Sequence, residues 1–277
     1  MSPGTGGPAR KIPMITPEKN PSPTEEAVVL KNVSKRFHSA GREVNALDSL
    51  SARVKPGTVT GFVGPDGGGK TTLFRMMAGL LPASEGSLMV AGNDLRRAAA
   101  RARDRIGYMA QRFSLYANLS VFENLRFFSS AYGLKGQRQR KRIAWALKAF
   151  ELKAYAEAKS GDLPLGFKQR LSLATALMHE PEILFLDEPT SGVDPLARRE
   201  FWNRINGLAQ GGVTVLVTTH FMEEAEYCDR LVIMAEGEIL EEGTPDDIKA
   251  RHRSDSQSEP SMEDAFIALI REREGRA

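Results

Sequence analysis

The run Gly64-Pro65-Asp66-Gly67-Gly68-Gly69-Lys70-Thr71-Thr72 constrains this chain more than any other stretch. It fits G-x-x-x-x-G-K-[ST], the spacing of a phosphate-binding loop. A triphosphate is bulky and highly charged, and it needs many donors at close range. Glycines keep side chains out of the way and allow positive φ, so backbone N–H groups can turn inward. A helix starting near Lys70 would aim its positive end at the phosphates. Lys70 adds a mobile cation for the β- and γ-phosphates, and the Thr71 hydroxyl is suited to Mg²⁺. The flanks agree with this reading. Residues 58–63 read as a buried strand and 73–78 as a helix, the strand–loop–helix setting that such loops require.

Beyond the loop, strand and helix patterns alternate. Residues 27–33, 44–54, 86–91, 106–109, 182–187, 213–218, 231–234 and 238–240 read as strands. Helical patterns cover 96–105, 120–150 with a break at 133–136, 166–178 and 196–208. Met262, Phe266, Leu269 and Ile270 mark an amphipathic C-terminal helix. Ser120 and Glu123 have the spacing of a capping box. The alternation predicts an α/β fold with a mainly parallel sheet and an inserted α-helical subdomain. Residues 1–26, punctuated by Pro3, Pro8, Pro13, Pro17, Pro21 and Pro23, read as a disordered tail or linker. Residues 252–261 read as a polar linker.

Bulk properties exclude several classes. The chain has 277 residues, 41% hydrophobic and 26% charged, enough for a sizeable core. A formal net charge of +3 is far from the dense basic stripe of a nucleic-acid binder, so no nucleic-acid partner is expected. Cys228 is the single cysteine, which excludes an internal disulfide and fits a reducing compartment. No apolar run approaches the roughly 20 residues that cross a bilayer. The start of the chain lacks the apolar core of a signal peptide. If the protein serves a membrane, another chain must do the spanning. Arg96, Arg97, Arg101, Arg103 and Arg105 form one basic cluster, and Lys135, Arg138, Arg140, Lys141 and Arg142 another. Both read first as solvated helix faces, and second as attraction to acidic lipid or a membrane subunit.

Asp187 and Glu188 end an apolar run, so they emerge at a strand's carboxyl end, where open α/β sheets bind ligands. Asp187 is suited to hold Mg²⁺, directly or through water. Glu188 can polarise an attacking water. Without a phosphate loop, the same pair would read as surface acids.

The residues Gly64 to Thr72, Gln111, the segment 163–170, Leu186-Asp187-Glu188-Pro189-Thr190, Ser191-Gly192-Val193-Asp194 and His220 occur in the order found in ATP-binding-cassette transporter subunits. The chain resembles that family over nearly all of 27–250. The resemblance implies a P-loop NTPase core with an N-terminal antiparallel β subdomain and a helical subdomain at about 112–180; beyond it, 251–277 read as a polar linker and the amphipathic C-terminal helix. It implies ATP hydrolysis with ATP and Mg²⁺ as cofactors. It implies a head-to-tail dimer, homodimeric or with a second cassette, at the cytoplasmic face of the inner membrane. Phe37 matches the aromatic that stacks on adenine. Gln111 matches the glutamine that joins Mg²⁺ and senses the membrane permease subunits. Asp194 matches the acid that acts across the dimer, and His220 the histidine that contacts the γ-phosphate. Residues 113–119 carry Phe113, Leu115 and Tyr116 as candidates for an exposed apolar surface that receives a helix of a membrane subunit; the alternative is that they pack inward.

One segment departs from the family. Where Leu-Ser-Gly-Gly-Gln is usual, the chain has Leu163-Pro164-Leu165-Gly166-Phe167, followed by Lys168-Gln169-Arg170. Pro164 has neither hydroxyl nor N–H to offer, although it suits the first position of a helix. Gly166 retains room for a close backbone approach. This run, with Met178-His179-Glu180-Pro181 and the tail from Thr244 to Ile270, resembles the second cassette of YbhF-type multidrug exporter ATPases. Such proteins usually carry two cassettes in one chain. Export of drug-like compounds follows from this resemblance alone. Two other readings stand beside it: a soluble cassette ATPase acting on ribosomes or DNA, and a nucleotide-gated binding module that barely hydrolyses.

Overall fold

The computed structural model describes residues 25–39, 42–253 and 260–274. Residues 1–24 of the expected Pro-rich tail at 1–26, and 254–259 of the expected polar linker, lie outside the described residues. In chain order the elements begin with β1 (Val28–Ser39), β2 (Arg42–Val54), β3 (Val59–Val63), α1 (Lys70–Met77), β4 (Glu85–Val90) and β5 (Asn93–Asp94). There follow α2 (Leu95–Arg103), β6 (Ile106–Met109), α3 (Val121–Ala131), α4 (Gly136–Ala149), α5 (Leu165–Ala176), β7 (Ile183–Asp187) and α6 (Pro195–Gln210). The rest are β8 (Thr214–Thr219), α7 (Met222–Ala225), β9 (Arg230–Ala235), β10 (Glu238–Gly243), α8 (Pro245–Arg251) and α9 (Met262–Glu274).

The strands form two sheets. One is antiparallel, in the order β2-β1-β4-β5. The other runs β10-β9-β3-β8-β7-β6 and is parallel except where β10 pairs with β9. Strands buried on both faces read as near-continuous apolar runs, and β3, β7 and β8 are buried throughout. Alternate side chains then part to opposite cores. Leu184 and Leu186 join the core formed with α3, α4, α5 and α6; Ile183 and Phe185 join the core shared with α1 and the antiparallel sheet. Phe74 of α1 is the hub of the second core. Its ring meets Phe62 of β3 edge-on at 5.4 Å and Phe185 of β7 at 5.7 Å.

The helical layer begins as expected. Ser120 caps α3, with its hydroxyl accepting from Glu123 N and the Glu123 carboxylate accepting from Ser120 N. Two expectations change. Phe113 and Leu115 are half-buried, because both pack against the core beneath α3 to α6; Tyr116 alone of the three is exposed. Pro164 is the cap before α5 and not its first residue. Its carbonyl accepts from Phe167 N and Lys168 N, each at 3.0 Å.

Candidate functional site

β3 ends at Val63, and the chain turns at once into the glycine loop. A Cβ on Gly64 would lie 1.9 Å from the Met234 carbonyl oxygen, so β9 leaves no room for a side chain. Gly69 has φ 94° and caps α1, and a Cβ there would meet Leu47 and Ala46 of β2. No side chain caps α1. Its first N–H groups have no acceptor within the helix, which makes this end an anion site by construction. Lys70 opens α1, and its Nζ donates to the carbonyl oxygens of Gly64 at 2.7 Å and Pro65 at 2.8 Å. Burial pulls the Lys70 ammonium below its ordinary pKa, while Glu188, Asp66 and Asp187 pull the other way.

Parallel register brings the acids to this loop. Asp187 is the last residue of β7 and pairs with Thr218 of β8. Its Oδ1 accepts from Thr218 Oγ1 at 2.7 Å and from Thr71 Oγ1 at 3.0 Å. Its Oδ2 accepts from the Tyr108 hydroxyl at 3.3 Å. Burial, with the Asp187 charge second, pushes the Tyr108 phenol up to about 12.

Glu188 turns out of the strand with φ 46°, a left-handed conformation that costs a side-chain-bearing residue about 1–2 kcal/mol. Thr218 holds it there by accepting from Glu188 N at 2.9 Å. The buried Glu188 carboxylate accepts from Gln111 Nε2 at 2.9 Å and lies 3.2 Å from His220 Nδ1. Asp66 Oδ1 is 3.9 Å from the same imidazole nitrogen. Ligating atoms of Asp66, Glu188 and His220 all fall within 4.8 Å of one another.

The expected residues therefore fall into two groups. Gly64, Pro65, Asp66, Lys70, Thr71, Gln111, Asp187, Glu188 and His220 are linked by the contacts above, with Gly67, Gly68 and Thr72 in the loop and first turn between them. Phe37, Gly166 and Asp194 stand apart. Phe37 lies on β1 opposite Val44, half exposed, with the Lys35 ammonium 5.0 Å from its ring centre. Gly166 is in the first turn of α5, facing Ala197 of α6. Asp194 caps α6, accepting from Ala197 N at 3.0 Å. Thr71, Asp187 and Gln111 offer a hydroxyl, a carboxylate and an amide oxygen, the hard oxygen set that suits Mg²⁺.

Three site residues are absent from the sequence reading. Thr218 touches both acids, Tyr108 touches Asp187, and the buried Glu224 carboxylate accepts from Thr219, the residue before His220. Thr218 sits in a β-branched run that signals only a strand. Glu224 follows Glu223 and looks like one of two solvated acids.

The model of the ABC transporter family matches residues 47–191. The chain is 53% identical over 249 residues to the probable multidrug ABC transporter ATP-binding protein YbhF of Escherichia coli, covering 90% of this chain and 42% of that protein. It thus spans less than half the length of that relative. Nod factor export ATP-binding protein I of Burkholderia orbicola is 42% identical over 216 residues, 78% of this chain and 70% of that protein. Two solved structures are similar at 28% identity. An ATP-binding subunit of an ABC transporter gives a TM-score of 0.77 over 88% of this chain and 99% of its own. A dimeric ATP-binding cassette in a post-hydrolysis state, bound to ADP and Pi, gives 0.73 over 78% and 98%.

Proposed function

The chain belongs to the ABC transporter family of ATP-binding cassettes, and from that premise we propose that it binds and hydrolyses ATP to drive export through separate membrane subunits. The observation that carries the chemistry is the convergence of Gln111 and His220 on the buried Glu188 carboxylate, beside the glycine loop. In this reading the α1 amides and Lys70 hold the phosphates. Thr71, Asp187 and Gln111 hold Mg²⁺, which supplies neutralisation of phosphate charge when bound. Glu188 orients a water and takes its proton as the water oxygen attacks the γ-phosphorus. The β,γ-bridging oxygen leaves with the electron pair. His220 and Gln111 fix where the Glu188 carboxylate points.

The cassette unit is 27–250, with 112–180 as its helical subdomain and 251–277 as linker and C-terminal helix. Among the described residues no helix is long and apolar enough to cross a membrane. As for other transporter ATP-binding subunits, we assign the transport path to permease subunits and place the chain at the cytoplasmic face of the inner membrane. Phe37 is proposed to stack on adenine. Gly166 and Asp194 are proposed to act across a head-to-tail dimer. Multidrug efflux is favoured as cargo class by the name of the relative from E. coli.

Phosphate release from Mg-ATP tests the reading. The wild-type chain should turn over, and Glu188→Gln should lower the rate by about a hundred-fold or more while still binding ATP. Equal release by the two proteins would remove Glu188 from the reaction. Co-purification with ribosomes or DNA in place of membrane permeases would favour the soluble ATPase reading.

A further inference from the structure

The buried carboxylate of Glu224 takes no part in the chemistry just described. Glu224 lies on α7, only 1% exposed. A carboxylate at that depth is costly unless donors surround it. Here Thr190 Oγ1 donates to its Oε1 at 2.5 Å and Thr219 Oγ1 donates to its Oε2 at 2.6 Å. Arg198 Nε stands 3.4 Å from Oε1.

The two donors and the Arg198 cation come from three different segments. Thr190 follows Glu188-Pro189, in a turn where Ser191 N donates to Glu188 O and Val193 N donates to Thr190 O. Thr219 directly precedes His220, and its hydroxyl also accepts from Phe221 N at 3.0 Å. Arg198 belongs to α6, where its N–H donates to Asp194 O, and its guanidinium lies 4.4 Å from the Phe221 ring centre. Each threonine hydroxyl has one proton to donate, and both protons go to Glu224. A solvated acid beside Glu223 would need no such arrangement.

We infer that Glu224 is a positioning residue: its carboxylate fastens the loop that carries Glu188 to the loop that carries His220, and both to the start of α6. The inference rests on the ATP hydrolysis proposed above. Glu188 sits in a left-handed conformation at the edge of its strand, so its carboxylate is steady only while its loop is held. The 3.2 Å approach of His220 Nδ1 to Glu188 Oε2 spans the two loops that the Glu224 carboxylate joins. Removing the carboxylate frees the loops to move apart without touching the glycine loop or Lys70.

Two measurements on the full chain test this. The first compares steady-state ATP turnover of wild type, Glu224→Gln, Thr190→Val and Thr219→Val. Glutamine keeps the shape but replaces one acceptor oxygen with an NH₂ group. We expect kcat to fall about ten-fold or more in Glu224→Gln, with KM within about two-fold of wild type. Because Glu224 and Thr190 act through one bond, Glu224→Gln with Thr190→Val should cost much less than the product of the single effects. An unchanged kcat in Glu224→Gln, or losses that simply multiply, would overturn the clamp. The second measurement is hydrogen exchange, which needs no activity. Glu224→Gln should speed exchange in 188–194 and 219–222 together and leave α1 and β3 unchanged. Acceleration of one loop alone, or of neither, also overturns it. If Glu224→Gln fails to fold, the single threonine variants decide, since each removes one hydroxyl and keeps the carboxylate. Absence of turnover in wild type would refute the proposed hydrolysis, and the exchange result would still stand for or against the clamp.

Discussion

Lys70 is a buried ammonium satisfied by its own loop. Its bonds to the Gly64 and Pro65 carbonyls keep it in place, and a triphosphate must outcompete them. A hydrogen bond to a charged group contributes roughly 1.5–3 kcal/mol, so Lys70→Ala should weaken Mg-ATP binding by about ten-fold or more. Calorimetric titration would show it, and unchanged affinity would mean that Lys70 does not face the phosphates. The setting of Lys70 is legible in the sequence because the loop is local: glycine, lysine and threonine lie within a few residues of one another. Thr218 is different. Its contacts with Asp187 and Glu188 exist because β7 and β8 run parallel with Asp187 opposite Thr218. That register is set by packing across the whole sheet, and a run of threonine and valine carries no trace of it. Glu224 is hidden for a related reason, since its partner Thr190 lies 34 residues away in the chain.

At the scale of elements, α1 joins the phosphate loop to the core. Its N-terminus begins at Lys70, and Phe74 anchors it between Phe62 and Phe185. Phe74 is fully buried, so truncation loses both edge contacts and leaves a cavity. Phe74→Ala should destabilise the fold by about 3–5 kcal/mol. Urea denaturation would read this as a lower midpoint with the same slope, and a shift worth under about 1 kcal/mol would contradict the central place given to this ring. Apolar runs make the buried strands legible and periodicity the long helices, whereas the short α7 and α8 are too brief to show a repeat and are not in the sequence pattern. The sequence leaves open whether Phe113 and Leu115 face in or out, since a polar-flanked loop gives no repeat from which to tell. These two residues turn inward to cover the large core.

At the scale of the whole molecule, two faces matter. One holds Lys70, Asp187, Glu188 and His220. The other gathers the start of α5 against the segment before α6: a Cβ on Gly192 would lie 3.2 Å from Leu165 Cδ2, and one on Gly166 would lie 3.6 Å from Ala197 Cβ. Leu165 is 41% exposed and Leu196 is 71% exposed on this second face. In the proposed head-to-tail dimer, the second face of each subunit covers the phosphates held by the other. Pro164 brings no hydroxyl and no N–H to that meeting, and no side chain caps α5. Each site would then combine a complete loop face with a donor-poor opposing face. The closed ATP-bound dimer should be weak in the isolated protein, even in Glu188→Gln, which stops hydrolysis from reopening it. Pro164→Ser should add a capping hydroxyl at the start of α5. One restored bond to a charged phosphate corresponds to roughly 1.5–3 kcal/mol, or about ten-fold or more in the dimer dissociation constant. Light scattering of Glu188→Gln in ATP, with and without Pro164→Ser, reads this directly. If the serine leaves dimerisation unchanged or weaker, then amides near Gly166 already supply enough donors, and Pro164 does not limit closure.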